Sequence, residues 1–155
     1  MADLAEEDAY WVALNRVLGA GRVTFHKLLR HFGTAAQVFS AGQREIQSVD
    51  RHIGERLAER IAACDAEREI AEELQRIERC GAEVLTLNDP RYPLNLKAIY
   101  DPPPVLYVLG GPRKEDLLSI AIVGTRRPTR YGKAAAAMLA KGLAERGLTI
   151  VSGLA

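Results

Sequence analysis

The sequence predicts an α/β protein in two parts: an all-helical module over residues 1–80, then, over 81–155, the first half of an open parallel sheet. Three observations carry this. Apolar residues recur at helical spacing as far as Cys80. At Gly81 the pattern changes to short apolar runs bounded by Gly and Pro, and the last two of these runs enclose one helix, in the order strand, loop, helix, glycine, strand.

Tyr10, Trp11, Leu14, Val17 and Leu18 follow the i, i+3, i+4, i+7 spacing of an amphipathic helix, which Gly19 and Gly21 stop. Phe25, Leu28, Leu29 and Phe32 line one face of a second helix that ends at Gly33, and Thr34 caps a short third through Ser40. From Ile53 one long charged helix is expected, through Leu57, Ile61, Ile70, Leu74 and Ile77 to a stop at Gly81. Its outer face, with Glu67, Arg68, Glu72, Glu73 and Arg76, reads as a solvated surface of i, i+4 pairs. Residues 82–87 read as a strand, 94–99 as one helical turn, and 105–109 as a second strand, with Tyr92, Tyr100 and Tyr107 as packing residues of the proline-rich segment. Residues 119–123 form a third strand, continuously apolar like a strand covered on both faces. A helix over about 130–146, with Ala135, Met138, Leu139 and Leu143 facing inward, and a fourth strand over 148–152 complete a βαβ unit, whose crossover makes its strands parallel.

Of 155 residues, 48% are hydrophobic and 26% charged, the balance of a soluble globular chain. No apolar run reaches the length of a membrane span. The acidic start MADLAEED is unlike a secretory signal, so the expected compartment is the cytoplasm. Cys64 and Cys80 fall in helical pattern without a C-x-x-C partner and are expected as free thiols. The net charge of +1 hides an asymmetry: residues 1–87 carry 15 acids and 11 Lys/Arg, residues 88–155 carry 5 and 10. A polyanion should therefore meet the second half.

In an open parallel sheet the ligand site lies beyond the carboxyl ends of the strands. GTRRPTRYG follows the third strand and SGLA the fourth. With those strands adjacent, about 4.8 Å apart, Gly124 and Gly153 face each other across a floor of small residues, and the helix starting near Thr129 adds partial positive charge. Arg126, Arg127, Arg130 and Lys133 fall within eight residues there, and Tyr131 either packs the helix start, the reading its position favours, or offers a ring to stack on a base. A dinucleotide loop needs glycines where Arg126 and Thr129 stand, and no G-x-x-x-x-G-K-[ST] occurs, so no cofactor is expected. Guanidinium forks suit phosphodiesters strung along a chain. His26 and His31, five apart, miss the spacing of a shared metal, and no catalytic triad or Cys/His pair can be assembled, so neither metal nor enzyme activity is expected. The Gly19-Ala20-Gly21 hairpin with Arg22 fits a plain turn between helices better than a phosphate contact.

YPLNLKAIYDPPPVLYVLGG, AIVGTRRPTRYG and TIVSGLA, in that order, resemble the entry into the shared domain of the DprA/Smf family, the DNA-processing proteins of bacterial natural transformation. LGAGRVTFHKLLRHFG stands where that family has the hairpin of its N-terminal SAM-like, helix-hairpin-helix-like domain. The resemblance implies a partial Rossmann-like parallel sheet after the helical domain. It implies sequence-independent binding and protection of single-stranded DNA, loading of the RecA recombinase in DNA recombination, and no catalysis. It places the family's phosphate-binding arginine of V-G-[ST]-R on Arg126, with Gly124 and Thr125 beneath it, its Y-G on Tyr131 and Gly132, and the start of its S-G-L-A-x-G-I-D on Ser152 and Gly153. With Arg127, Arg130 and Lys133 these form the expected DNA-binding set. The sequence stops before G-I-D. The expectation is that the later strands, the part with which the family dimerises and meets RecA, and any winged-helix tail are missing, leaving the fourth strand as an open edge. The residues leave two readings of other classes open: a nucleotide-cleaving phosphoribohydrolase on a related fold, and a protein-interaction module without DNA affinity.

Overall fold

A computed structural model describes residues 4–19 and 21–153, with eight α-helices and four strands among them. They fall into two compact units, Met1–Tyr92 with Leu96–Gly111, and Pro93–Asn95 with Pro112–Ala155.

The first unit contains α1 (Glu6–Leu18), α2 (Arg22–Phe32), α3 (Ala35–Ser40), α4 (Gln43–Ser48), α5 (Glu55–Ala62) and α6 (Ala66–Cys80). Local chemistry sets several of the ends. Gly33 and Gly81 adopt φ of 88° and 63°, a left-handed backbone that side chains resist, and they stop α2 and α6. Thr34 opens α3 with a reciprocal capping box to Gln37. The long helix expected from Ile53 is instead two, α5 and α6, broken at residues 63–65. Asp65 turns its carboxylate onto the backbone N–H of Arg68 at 3.1 Å, and a side chain that caps a new helix competes with continuing the old one. Cys64 therefore lies in the break, half-buried, where burial pushes its thiol pKa up, while Cys80 is exposed; both are free.

The fold also contains a repeat that the sequence reading missed. Gly21 and Gly54 are the N-caps of α2 and α5. Four and seven residues further on, Phe25 and Leu28 in one case and Ala58 and Ile61 in the other are buried. Thus α1–α2 and α4–α5 are two helix–turn–helix hairpins that feed one core. Trp11 and Phe25 meet edge to face at 5.1 Å within it, and Tyr10 packs its ring near Phe39.

After α6 come β1 (Glu83–Thr86) and β2 (Val105–Val108), antiparallel, with Glu83 opposite Val108. Val84 and Val105 join the helical core. The sheet expected to be parallel from Gly81 onward thus begins with a separate antiparallel pair: the segment between its strands holds a single helical turn and returns the second strand antiparallel to the first. Side chains hold that return: the Tyr92 hydroxyl donates to the Pro103 carbonyl at 2.7 Å, and Arg22 pairs with Asp101 at 3.3 Å. Tyr92 packs as expected, whereas Tyr100 is fully exposed and Tyr107 nearly half so. The single turn α7 (Leu94–Lys97) straddles the two units in sequence.

The second unit is the βαβ motif. β3 (Ser119–Ala121) and β4 (Thr149–Val151) are parallel neighbours with Ser119 opposite Thr149, and α8 (Arg130–Ala144) is the crossover. A 3-10 turn, Lys114–Leu117, anchors the amino ends of both strands. Asp116 accepts from the Arg113 backbone N–H at 2.8 Å and from the Thr149 hydroxyl at 3.0 Å, which hold its carboxyl below the usual range. The Asn95 amide donates to the Leu117 carbonyl at 3.0 Å. None of the described residues of this unit is buried. Met138 and Leu139, expected to face inward, are 68% and 53% exposed, and Ile120 of the strand expected to be covered on both faces is exposed too. Two strands and one helix have too few layers to enclose an interior.

Candidate nucleic-acid interface

Parallel pairing makes β3 and β4 open in the same direction. The Ile122 N–H donates to the Val151 carbonyl at 2.9 Å, which carries the pairing one residue past β3, so the segments 123–129 and 152–153 leave the sheet side by side. Between them and the first turns of α8 lies a cleft of about 490 Å³.

Six members of the expected set line it: Gly124, Thr125, Gly132, Lys133, Ser152 and Gly153. Arg126, Arg127, Arg130 and Tyr131 do not line it; all four are exposed. A Cβ added at Gly124 or Gly153 would meet nothing within 4 Å, so glycine there keeps the cleft open rather than permitting a close packing. Gly132 is tighter, since a Cβ would lie 3.4 Å from the Thr129 hydroxyl. That hydroxyl caps α8 by accepting from the Gly132 N–H at 3.1 Å, and the first turn of α8 holds no acid. The Thr125 hydroxyl accepts from the Arg127 N–H at 3.1 Å and folds the loop between them.

The cleft also has members that the sequence reading passed over: Ile122, Val123, Pro128, Thr129 and Ala136. A signal for part of this was present. Thr129, Gly132, Lys133 and Ala136 stand at i, i+3, i+4 and i+7, one face of α8, whereas Arg126 and Arg127 lie in the loop before it.

Electrostatically the site is uncompensated. Among the described residues, none of Arg126, Arg127, Arg130 and Lys133 has a carboxylate at ion-pair distance, whereas Lys141, further along the same helix, faces Glu145 at 3.9 Å. In the first unit, Arg16 is held by Glu69 and Glu73 at 2.5 Å each, and Arg91 by Glu83 and Asp89 at 2.7 and 2.9 Å.

The hairpin residues of the first unit are engaged otherwise. Arg22 holds Asp101, and His26 Nε2 lies 3.1 Å from the Pro102 carbonyl oxygen. Ala20 of that hairpin, and Leu154 and Ala155 of SGLA, lie outside the described residues. Among the described residues no cluster of His, Cys, Asp or Glu is placed to hold a metal, and no helix is long and apolar enough to cross a membrane.

Residues 83–155 match the family model of DNA recombination-mediator protein A. Protein Smf of Synechocystis sp. is 33% identical over 153 residues, 96% of this chain and 38% of that protein. The chain belongs to the DprA/Smf family. DNA processing protein DprA of Bacillus subtilis is 46% identical over 79 residues, 48% of this chain and 26% of its own length. Protein Smf of Borreliella burgdorferi is 39% identical over 79 residues, 51% and 25% respectively. The chain thus spans between a quarter and two-fifths of the length of these relatives. The family match opens at residue 83, so β1 and β2 belong by sequence with the βαβ motif and by packing with the helices.

Proposed function

We propose that this chain takes part in DNA processing as a binding protein and not as an enzyme: it holds single-stranded DNA without reading its sequence. The reading is supported above all by four uncompensated cations, Arg126, Arg127, Arg130 and Lys133, at the carboxyl ends of a parallel strand pair, within the segment that matches the family. The matching family model is described as DNA recombination-mediator protein A and the Bacillus subtilis relative is named DNA processing protein DprA, in keeping with this. Mechanistically, Arg126 and its neighbours neutralise phosphates, the hydroxyls of Thr125 and Ser152 and the backbone of Gly124 and Gly153 position them, and Tyr131 stacks on a base. In the cytoplasm such a complex protects an incoming strand during transformation and passes it to the RecA recombinase, with the whole protein acting as a homodimer.

The test is a fluorescence-anisotropy titration of labelled oligothymidine over a range of salt, beside a duplex of equal length and Arg126→Ala. Expected are preference for the single strand, a log–log salt slope of about −0.7 per phosphate contact, and weakening of about tenfold on losing one charge-assisted phosphate contact. A folded chain that binds neither nucleic acid overturns the reading.

A further inference from the structure

Resting on that reading, we propose that Asp116 and Thr149 are a positioning pair for the nucleic-acid interface: they touch no nucleic acid, but their hydrogen bond sets the strand register that brings the two loops together. Little else can hold that register. Strands are pinned in register chiefly by a buried face, and no described residue of this unit is buried. β3 and β4 are three residues long and pair Ser119 with Thr149, Ile120 with Ile150 and Ala121 with Val151. So short a ladder with both faces open can slip, and a slip of one residue would carry Ser152 and Gly153 about 3.3 Å along the strand and turn Ser152 to the other face.

A polar clamp stands in place of the missing core. Asp116 lies in the 3-10 turn that leads into β3, and its carboxylate accepts from the Arg113 N–H at 2.8 Å and, across the sheet, from the Thr149 hydroxyl at 3.0 Å. Beside this bond the Thr149 N–H donates to the Leu118 carbonyl at 2.9 Å, and the Asn95 amide donates to the Leu117 carbonyl at 3.0 Å. Asp116 and Thr149 are both half-buried, and a bond to a charged acceptor is stronger than one between neutral groups. It forms at one register only, since the hydroxyl moves with β4. Two residues, about 7 Å of strand, separate Thr149 from Val151, whose carbonyl receives the Ile122 N–H where the strands end. The clamp at the amino ends therefore decides which residues meet at the carboxyl ends, where Gly124, Thr125, Ser152 and Gly153 line the cleft. Neither Asp116 nor Thr149 lines it.

The experiment titrates labelled oligothymidine over a range of salt with the intact chain, beside Asp116→Ala, Thr149→Val, the two combined, and Thr149→Ser, and follows exchange of the Ile122 amide by NMR. Thr149→Val keeps the side chain's shape and suits a strand, which guards against a folding defect in Asp116→Ala. Each of these two should weaken binding about fivefold, within the range of residues that act through others, and lower the salt slope by about 0.7, one phosphate contact. The combined variant should bind no more weakly than either, because both changes remove the same bond. Thr149→Ser, which keeps the hydroxyl, should bind like the wild type. The Ile122 amide should exchange about tenfold faster wherever the bond is lost. A merely structural role would lower stability and leave the salt slope of the folded chain unchanged. Wild-type affinity and slope in Asp116→Ala and Thr149→Val, or equal loss in Thr149→Ser and Thr149→Val, overturns the positioning role and leaves the DNA reading standing. Oligothymidine binding by no chain, wild type included, overturns the DNA reading; faster Ile122 exchange then still upholds the clamp. Unchanged Ile122 exchange overturns the clamp in every case.

Discussion

In the first unit Val12, Leu14, Phe25, Leu28, Val38, Ile46 and Ile61 are at most 1% exposed; in the second, not one described residue is buried, and Val123, Met138, Leu139 and Val151 face solvent. Both are rich in apolar residues, so composition does not explain the contrast. Two helical hairpins and a β-hairpin surround a common centre, whereas one βαβ motif has a front and no back. The charges divide the same way. Arg16 and Arg91 are absorbed into ion pairs of the first unit, whereas among the described residues Arg126, Arg127 and Arg130 of the second have no carboxylate at ion-pair distance.

The largest effect that tests this contrast is truncation of a core ring. Phe25→Ala should cost about 3–5 kcal/mol in urea denaturation, while Met138→Ala should stay within about 0.5 kcal/mol. Comparable losses would abolish the distinction. Next, native-state hydrogen exchange should show amides of α1 and α2 protected at least about a hundredfold more than those of α8, a gap of about 2.7 kcal/mol. Equal protection would mean that α8 is sealed in solution by something outside its own unit.

A third measurement sharpens the picture at the sheet edge. Apart from its pairing with β3, β4 offers open backbone groups and exposed Val151, so the chain should self-associate in light scattering as its concentration rises, and Val151→Lys should reduce this by breaking edge-to-edge pairing. A wild-type chain that stays monomeric removes the argument. The smallest effect concerns acid. Lys27, with the backbone and ring of His52, holds the Asp50 carboxyl well below its ordinary range. A depressed folded-state pKa contributes stability above the ordinary carboxylate range and loses it as pH falls below that range toward the lower folded value. Asp50→Asn should flatten the acid limb of a melting-temperature profile while changing little near neutrality; an unchanged acid limb would show the pair to be idle.

Much of this was legible in advance where the cause is local. The stops at Gly33 and Gly81, the cap at Thr34 and the parallel βαβ order follow from backbone freedom, side-chain reach and period, which a few neighbouring residues decide. The break at Asp65 was local too, but helical spacing runs through it unbroken, so the weaker capping signal was overlooked. The second glycine hairpin was missed because Ile53 and Gly54 sit inside an apparently continuous helical pattern. Of the candidate site, the sequence showed the cations and the glycines. It did not show that Ala136 and Val123 share a cleft with Ser152, while Arg126 and Arg130 stand outside.

By itself, then, the sequence determined the order of the elements, the asymmetry of charge, and the presence of an arginine-rich loop after a short strand, since each is written in adjacent residues. Only the tertiary structure decided that β1 and β2 join the helices, that α8 stays open on its apolar side, and that six of ten expected residues converge on one cleft. Those outcomes depend on the pairing of Ser119 with Thr149, thirty residues apart in the chain, and on which layers are present to cover a face.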